Sequence, residues 1–305
     1  MDGLARTDSP LNRSRVSLRD LVALTKPRIT IMVILTTAGG LALAPTALPI
    51  STILFTLLAT AMVVGSANTL NCWLERDVDR HMTRTARRPL PAGRLAPGWA
   101  LGLGLALGAV AVPVLCIVAN PLTGLLGAIA LVSYVWVYTP LKQRSPIALL
   151  VGAIPGAMPP LMGWTAAQGE LGAPGIVLFG ILFLWQMPHF LAISIFRERE
   201  YTRAGIKVWP AVRGRAATVR NAILYAGALV PVSLLLVPLG IAGTGYLVIA
   251  GVLGVGFFAM SVVGLFRAAS SELAMHRWSR QLFVASLIYL PLLFAALAFD
   301  VAALS

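Results

Sequence analysis

Three polar side chains spaced four residues apart, Asn71, Glu75 and Asp79, lie at the end of an apolar stretch of the chain. Each step of four residues turns a helix by about 40°, so the three stack along one helix face. Polar groups in a membrane helix are costly and tend to face a cavity where they act. Two carboxylates and an amide in a row suit Mg²⁺, which prefers carboxylate and phosphate oxygens. The alternative is that the carboxylates merely pair with neighbouring arginines, and we favour that interpretation for Asp77 on another face.

An arginine-rich segment, residues 76–94, follows this row directly. Arginine binds phosphate oxygens through two parallel hydrogen bonds, so the row and the segment together have the groups that a metal–diphosphate site requires. Without the carboxylates, such a segment would more often be a basic patch that sets membrane orientation. A second mixed segment, Arg197-Glu198-Arg199-Glu200-Tyr201, follows the sixth apolar span. Because the second and sixth spans run in the same direction, the two acidic segments face one side of the membrane and could converge on one site.

The composition of the whole chain predicts that these residues are positioned by membrane helices. Of the 305 residues, 58% are hydrophobic and 11% are charged, whereas a soluble protein carries roughly 25% charged residues. A spanning helix needs about 20 apolar residues. Stretches without Asp, Glu, Lys or Arg fit two spans each at 29–74, 95–141 and 221–266, and one span each at 145–169, 171–196 and 281–299. The sequence therefore predicts an all-α, polytopic membrane protein with nine transmembrane helices.

The basic residues predict how these helices are oriented. All 24 lysines and arginines fall on the side of the N-terminus, so by the positive-inside rule the N-terminus is cytoplasmic and the C-terminus lies on the opposite side. The net charge of +13 is thus explained by topology, and no nucleic-acid partner is expected. We predict a basic cytoplasmic tail (1–25) followed by a single nine-helix domain (26–305). Residues 267–280 look like an ordinary solvated loop.

The motifs resemble those of the UbiA-type intramembrane prenyltransferase superfamily. Its first signature, N-x-x-x-[DE]-x-x-x-D, is present as Asn71, Glu75 and Asp79. A Pro-Pro-x-x-Gly-Trp segment ending at Trp164 and a Pro-His-Phe segment ending at Phe190 resemble the branch whose members act on haem. The second acidic motif is thinner than is usual in the superfamily, and the family's frequent Asn after Lys142 is missing.

The resemblance implies a ring of nine helices around a central cavity that opens toward lipid. It implies that Mg²⁺ is held by the catalytic groups Asn71, Glu75 and Asp79, with Glu200 from the second acidic segment. The residues that it implies for substrate binding are Arg84, Arg88 and Lys142 at the diphosphate, together with Lys26, Arg28, Arg197, Tyr201 and His189. For His189 two interpretations stay open, a substrate-facing side chain and a packed polar residue bonded to a neighbouring helix.

The activity implied is transfer of a farnesyl group from farnesyl diphosphate to a vinyl group of haem B, which yields haem O, in a bacterial-type inner (plasma) membrane. The partners are then farnesyl diphosphate, haem B and the bilayer. A haem A synthase or an oxidase-assembly partner does not follow from the residues. One alternative is a UbiA-type enzyme that acts on an aromatic or quinone-precursor acceptor. Another is a membrane transporter, against which stands the lack of any Asp, Glu, Lys or Arg in the middle of a predicted span.

Overall fold

The structure is a computed structural model that describes residues 16–268 and 271–304. Within these ranges the chain is helical, with a long connection at residues 80–96, and it contains no strand. Residues 1–15 of the predicted basic tail lie outside the described residues. The all-α prediction is confirmed.

The helices follow the charge-free stretches of the sequence. In chain order they are α1 (Leu18–Leu24), α2 (Pro27–Leu43), α3 (Ile50–Leu74), α4 (Arg76–Asp79), α5 (Pro97–Val118), α6 (Pro121–Val132), α7 (Thr139–Leu141), α8 (Ala148–Gln168), α9 (Ala173–Phe196), α10 (Glu198–Arg203), α11 (Trp209–Arg213), α12 (Arg215–Leu234), α13 (Thr244–Ala268) and α14 (Glu272–Leu304). A π-helical segment, Ser133–Tyr138, joins α6 to α7. Residues 272–280 belong to α14, so the prediction of an ordinary solvated loop over 267–280 is wrong for them.

Eight helices within the described ranges are long and apolar enough to cross a membrane, counting Pro121–Leu141 as one. A ninth span results if α1 and α2, which are bent by 51° relative to each other, are taken together. α2 does not count as a span by itself because it has 17 residues, whereas a span needs about 20. The predicted count of nine is therefore approximately right, and the chain is an integral membrane protein.

The spanning helices form a closed ring of neighbours. Each contacts the next in the order α2, α3, α5, α6, α8, α9, α12, α13 and α14, and α14 returns to contact α2. Cross-contacts join α2 to α8 and α9 to α14. The α2–α8 contact depends on glycine, because a Cβ on Gly40 would collide with the carbonyl oxygen of Pro160 and one on Gly163 with that of Thr37. The backbones thus approach closely, as small residues allow in membrane helices.

Large apolar side chains cover the outside of the ring. Ile117, Leu224 and Val252 are 82%, 68% and 70% exposed, a pattern that a soluble monomer rarely shows over wide patches. Lipid covers such a surface without cost, because its tails are as apolar as the side chains. The polar groups that remain buried therefore stand out as candidates for chemistry.

Candidate active site

The predicted row of polar side chains lies at the C-terminal end of α3. That helix ends at Leu74, and Glu75 separates it from the short α4. The helical hydrogen bonds nevertheless continue, from the Glu75 amide to the Asn71 carbonyl (2.9 Å) and from the Asp79 amide to the Glu75 carbonyl (2.8 Å). The row keeps its register across the break, and its three members are buried, with 1%, 8% and 4% exposure in chain order.

Asp77, on the opposite face of α4, has a different environment. Its side chain is 66% exposed and lies 3.8 Å from Arg76 and 3.6 Å from Arg80. These are the weak surface pairs that neighbouring arginines form at a helix end. The interpretation of Asp77 as a residue that only pairs locally is confirmed by these contacts.

Two lysines from distant parts of the chain contact the first half of the row. The Lys26 ammonium donates to Asn71 Oδ1 at 2.9 Å, and Asn71 Nδ2 donates to Thr139 Oγ1 at 3.1 Å. Lys142 Nζ lies 2.5 Å from Glu75 Oε1, and both side chains are largely buried. The fold thus brings two predicted substrate-binding lysines to the predicted metal-binding row.

The last member of the row is held by the arginine-rich segment. Arg88 Nη1 donates to Asp79 Oδ2 at 2.7 Å, and the Thr85 hydroxyl donates to the Asp79 backbone carbonyl at 2.9 Å. Buried apolar side chains at Met82 and Leu90 fix the segment against the helices. Each of the three polar side chains in the row therefore has a cation as its partner.

Lys26 reaches the row through an unusual backbone conformation. Its φ of 52° and ψ of 66° lie in the left-handed region, and it is the single non-glycine residue with positive φ among the described residues. It stands between α1 and α2, directly before Pro27, which disfavours the right-handed helical conformation at the preceding residue. Backbone strain of this kind costs about 1–3 kcal/mol and collects at functional sites. The bend between α1 and α2 aims the ammonium group at Asn71.

The second acidic segment touches the arginine-rich segment, as the parallel direction of the spans predicts. Glu200, on α10, accepts from Arg197 Nη1 at 2.8 Å and from the backbone amide of Arg84 at 3.4 Å. Glu198 instead accepts from Arg215 Nε at 3.0 Å, on α12. Of the two glutamates, Glu200 is thus the one that faces the first segment.

Charged neighbours keep the carboxylates of this region ionised. Burial by itself would raise the pKa of Glu75, but the Lys142 ammonium, together with Lys26 and Asn71, outweighs it and the net pKa lies below the usual 4.5. For Glu200, burial likewise opposes ionisation, and hydrogen bonds from Arg197 and the Arg84 amide lower the pKa. Burial raises the pKa of Tyr201, so its phenol stays protonated. The site is therefore a set of fixed charges at neutral pH.

The lowered pKa of Glu75 predicts how stability depends on pH. The folded protein binds this proton less readily than the unfolded chain, whose carboxyl group titrates near 4.5. The contribution of Glu75 is therefore fully present above that value and is lost as pH falls through the folded pKa. The Tm of the wild type minus that of Glu75→Gln should stay constant from about pH 7 to about pH 5 and shrink below about pH 4.5. A difference that already shrinks above about pH 6 would contradict this direction.

The carboxylates do not by themselves make a closed metal cage. No group of three or more His, Cys, Asp or Glu side chains among residues 16–268 and 271–304 is placed to hold a metal ion. Mg²⁺, however, is usually bound by one or two carboxylates, with phosphate and water oxygens as its other ligands. The buried pair Glu75 and Asp79, with the amide oxygen of Asn71, fits a metal that arrives with a diphosphate.

Residues 32–287, which include the polar row and the second acidic segment, match the sequence profile of the UbiA prenyltransferase family. The chain belongs to this family. It is also 54% identical over 279 residues to the protoheme IX farnesyltransferase of Anaeromyxobacter sp. (strain Fw109-5), and the alignment covers 92% of each protein. The resemblance seen in the sequence motifs is confirmed.

Solved structures share the UbiA fold. A structure of digeranylgeranylglyceryl phosphate synthase has a TM-score of 0.80 and 17% identity, covering 94% of this chain and 99% of that protein. A UbiA homolog from Archaeoglobus fulgidus, solved with GPP and Mg²⁺ bound, has a TM-score of 0.62 and 17% identity, covering 91% and 99%. At such identities the likeness concerns the fold, and it agrees with the ring of helices described above.

Two residues expected at the substrates of this UbiA protein lie away from the row. Arg28 is exposed and has no ion pair or hydrogen bond within the described ranges. His189, inside α9, is 9% exposed, and its Nδ1 lies 2.7 Å from the Ser286 hydroxyl on α14. The His189 ring also stacks on Trp185 at 5.0 Å. These contacts favour the interpretation of His189 as a packed polar residue that is bonded to a neighbouring helix.

Two contacts of the UbiA site were missed by reasoning on residue types. Thr139 binds Asn71 through its hydroxyl, and the Lys142 ammonium lies 4.6 Å above the ring of Tyr138. The available signal was the sequence Tyr138-Thr139-Pro140 at the C-terminal end of a span, just before Lys142. A neutral hydroxyl at such a place carries no charge pattern, so only the fold shows which side chain it meets.

A cavity of about 610 Å³ opens beside the UbiA polar row. Arg197 and Glu200 form part of its wall, and the start of α14 forms another part. The row itself does not line it. The site therefore has two adjoining regions, the polar row with its cations and this basic cavity. Glu200 links them, because it lines the cavity and accepts a hydrogen bond from the backbone amide of Arg84 in the arginine-rich segment.

Proposed function

We propose that this UbiA prenyltransferase transfers the farnesyl group of farnesyl diphosphate to a vinyl group of haem B, which forms haem O and releases diphosphate. The observation that carries the proposal is the 54% identity, over 92% of both chains, to a protein named protoheme IX farnesyltransferase. The site supplies matching chemistry, since buried carboxylates and several cations stand at the membrane boundary.

The donor diphosphate binds between the polar row and the arginine-rich segment. Asn71, Glu75 and Asp79 would hold Mg²⁺, and Glu200 would contribute from the second acidic segment. The ion, when bound, neutralises charge that develops on the leaving diphosphate. A UbiA homolog from another organism was solved with GPP and Mg²⁺, which supports a metal-bound prenyl diphosphate as the donor.

The cations change partners when the donor binds. Lys26, Lys142 and Arg88 now contact the oxygens of the row. With a metal at the row, Lys26, Lys142 and Arg88 would be free to bind the phosphate oxygens, and Arg84 would join them from the arginine-rich segment. No buried charge is left unpaired in either state, which matters because an uncompensated buried charge is costly. The side chains of the row thus keep their charged partners before substrate arrives.

The transfer breaks the C1–O bond of the donor, and the electron pair leaves with the diphosphate. The terminal carbon of the vinyl group then bonds to farnesyl C1, which leaves a positive charge on the vinyl carbon next to the macrocycle. A water molecule adds there and releases a proton. Because bulk water would capture the first cation, the apolar ring of helices excludes it. Arg197 and Tyr201 line the acceptor side of the donor.

The chemistry of the substrates also favours one location of the active site and one orientation of the protein in the membrane. Farnesyl and haem both partition into lipid, whereas diphosphate and the haem propionates need water and cations. A site at the cytoplasmic face of the bacterial inner membrane, with the N-terminus cytoplasmic, satisfies both halves of each substrate.

Haem analysis in cells tests the proposed function. The chain is expressed in a bacterial strain without its own haem O synthase, and the extracted haems are separated and weighed by mass spectrometry. We expect a new haem that carries one farnesyl group and one hydroxyl group more than haem B. Asp79→Asn serves as the inactive control. Haem B alone, from membranes that contain the folded protein, would refute the haem assignment, and diphosphate release with an aromatic acceptor would then favour the other UbiA chemistry.

A further inference from the structure

We propose that the cavity beside the polar row binds the carboxylate groups of the acceptor through Arg203 and Arg280. This inference rests on the proposed function, in which the acceptor is a haem that carries two propionates. It assigns a subsite to the acceptor that is separate from the diphosphate region.

The cavity has the size and place that an acceptor subsite needs. Its volume of about 610 Å³ falls in the range of about 300–1,000 Å³ that small-molecule sites occupy. His81 and Thr83, from the arginine-rich segment, line one side, and Glu200 lines another. Because the backbone amide of Arg84 binds Glu200 at 3.4 Å, a ligand in the cavity lies next to the donor region.

The wall of the cavity carries unpaired positive charge. It contains five arginines and three glutamates. The ion pairs among them are Arg197–Glu200 (2.8 Å), Arg199–Glu272 (2.9 Å), Arg215–Glu198 (3.0 Å) and Arg215–Glu272 (3.5 Å). Arg203 and Arg280 have no ion pair or hydrogen bond with any described residue. Five guanidinium groups against three carboxylates leave two positive charges, which match the two carboxylates of a haem.

The inner end of the cavity is apolar and aromatic. It contains Ile195 and Phe196, the last two residues of α9. The Phe196 ring meets His276 edge-on at 6.3 Å and Phe283 at 5.6 Å, and Phe283 lies 4.8 Å from His189. Aromatic side chains thus continue from the cavity into the membrane between α9 and α14. A flat apolar ligand with an anionic edge fits this arrangement.

Other anions share the charge but fit the cavity less well. Free diphosphate or a lipid phosphate group would also be attracted to two unpaired arginines. Neither offers a planar apolar body for the aromatic end. We therefore assign the cavity to the acceptor, and the experiment below separates the three ligands.

Binding of haem B and of its dimethyl ester tests the subsite directly. The full-length protein is placed in bilayer discs of uncharged lipid, and Kd values are measured from haem absorbance without any prenyl donor. In the wild type the ester, whose two carboxylates are neutral, should bind about 10- to 100-fold more weakly than haem B, since charged hydrogen bonds are lost. In Arg203→Gln/Arg280→Gln, haem B and its ester should bind equally, both at the weak value.

Further measurements decide against the other ligands. The KM of the double variant for farnesyl diphosphate and its inhibition by inorganic diphosphate should stay within about twofold of the wild type. The matched control is Arg213→Gln/Arg220→Gln, which removes two exposed cations on the same face outside the cavity and should discriminate haem B from its ester normally. Should the double variant fail to fold, each single variant is expected to lose part of the discrimination.

Three results would overturn the subsite. They are unchanged discrimination in the Arg203/Arg280 variant, an equal loss in the Arg213/Arg220 control, and weaker diphosphate inhibition with normal haem binding. Loss of discrimination only in discs of anionic lipid would point to a lipid phosphate group and also overturn it. Because binding is measured without turnover, failure of the subsite is distinguishable from failure of the proposed function, which would appear as haem bound but not farnesylated.

Discussion

Asp79→Asn is expected to lower kcat by about 100-fold or more at saturating Mg²⁺, because a group that stabilises transition-state charge typically contributes that much. The Asp79 side chain is 5% exposed and has Arg88 as its partner at 2.7 Å. The substitution keeps the shape of the side chain and removes the negative charge that would hold the metal. Turnover of farnesyl diphosphate in purified membranes, with haem O as the product, measures the effect.

Asp77→Asn provides the matched control, since it removes the same charge two residues away on α4. Its carboxylate is 66% exposed and pairs only with Arg76 and Arg80, so activity should stay within about twofold of the wild type. The Tm of both variants shows whether the fold is retained. Near-normal activity of Asp79→Asn, or an equal loss of activity in Asp77→Asn, would refute a role of the polar row in the reaction. A higher Mg²⁺ requirement for residual activity of Asp79→Asn would mark the loss as one of metal binding.

The ring of helices could be predicted from the sequence because hydrocarbon excludes charge so strongly. Charged residues are confined to the span ends, and the gaps between them give the positions of α3, α5 and α9 within a few residues. The first span is the exception. Pro27 interrupts the helix at Lys26, and whether α1 bends away or continues the span depends on packing, which the local sequence does not encode.

The polar row could also be predicted, since helical periodicity alone places its members on one face. The partners of the row could not. Lys26, Lys142 and Arg88 each reach a different oxygen, and nothing in the residue types distinguishes Arg88 from Arg84 or Arg87. Only the folded path of the loop, fixed by buried apolar residues, decides which arginine meets Asp79. Pairings between distant segments are therefore the part that needs a structure.

The basic cavity, too, could not be predicted from the sequence. The start of α14 contributes Glu272, His276 and Arg280, in a stretch that the sequence suggests is an ordinary loop. The charged residues of this stretch are few, and they form no recognisable sequence motif. The cavity arises because α14 packs against α9, so that residues without a pattern of their own complete a wall that α10 begins.

Lys142→Met is expected both to destabilise the protein and to abolish activity. Lys142 Nζ lies 2.5 Å from Glu75 Oε1, and the two side chains are 19% and 11% exposed. Removing one partner of such a pair leaves a buried charge uncompensated, at a cost of about 3–5 kcal/mol in the free energy of unfolding. The loss should appear as a lower Tm in detergent and as a farnesyl transfer rate at least about 100-fold below the wild type.

Lys207→Met is the matched control for this change. Lys207 is exposed, and its backbone amide donates to the Lys142 carbonyl at 2.9 Å, so a lysine in the connection next to Lys142 loses the same kind of side chain. Both Tm and activity should stay near the wild-type values. A comparable fall in this control would show that neither of the two neighbouring connections tolerates the loss of a lysine, and the specific role of Lys142 would be refuted.

The double variant Glu75→Leu/Lys142→Met separates stability from chemistry. Replacing a buried ion pair by apolar residues of similar volume is often neutral or stabilising, so the double variant should recover most of the Tm lost by Lys142→Met. If the pair also serves the diphosphate and its metal, activity must stay absent, because neither the carboxylate nor the ammonium is present. A stable and active double variant would mean that the pair is only structural, and the metal site would then have to be sought at Asp79 and Glu200 alone.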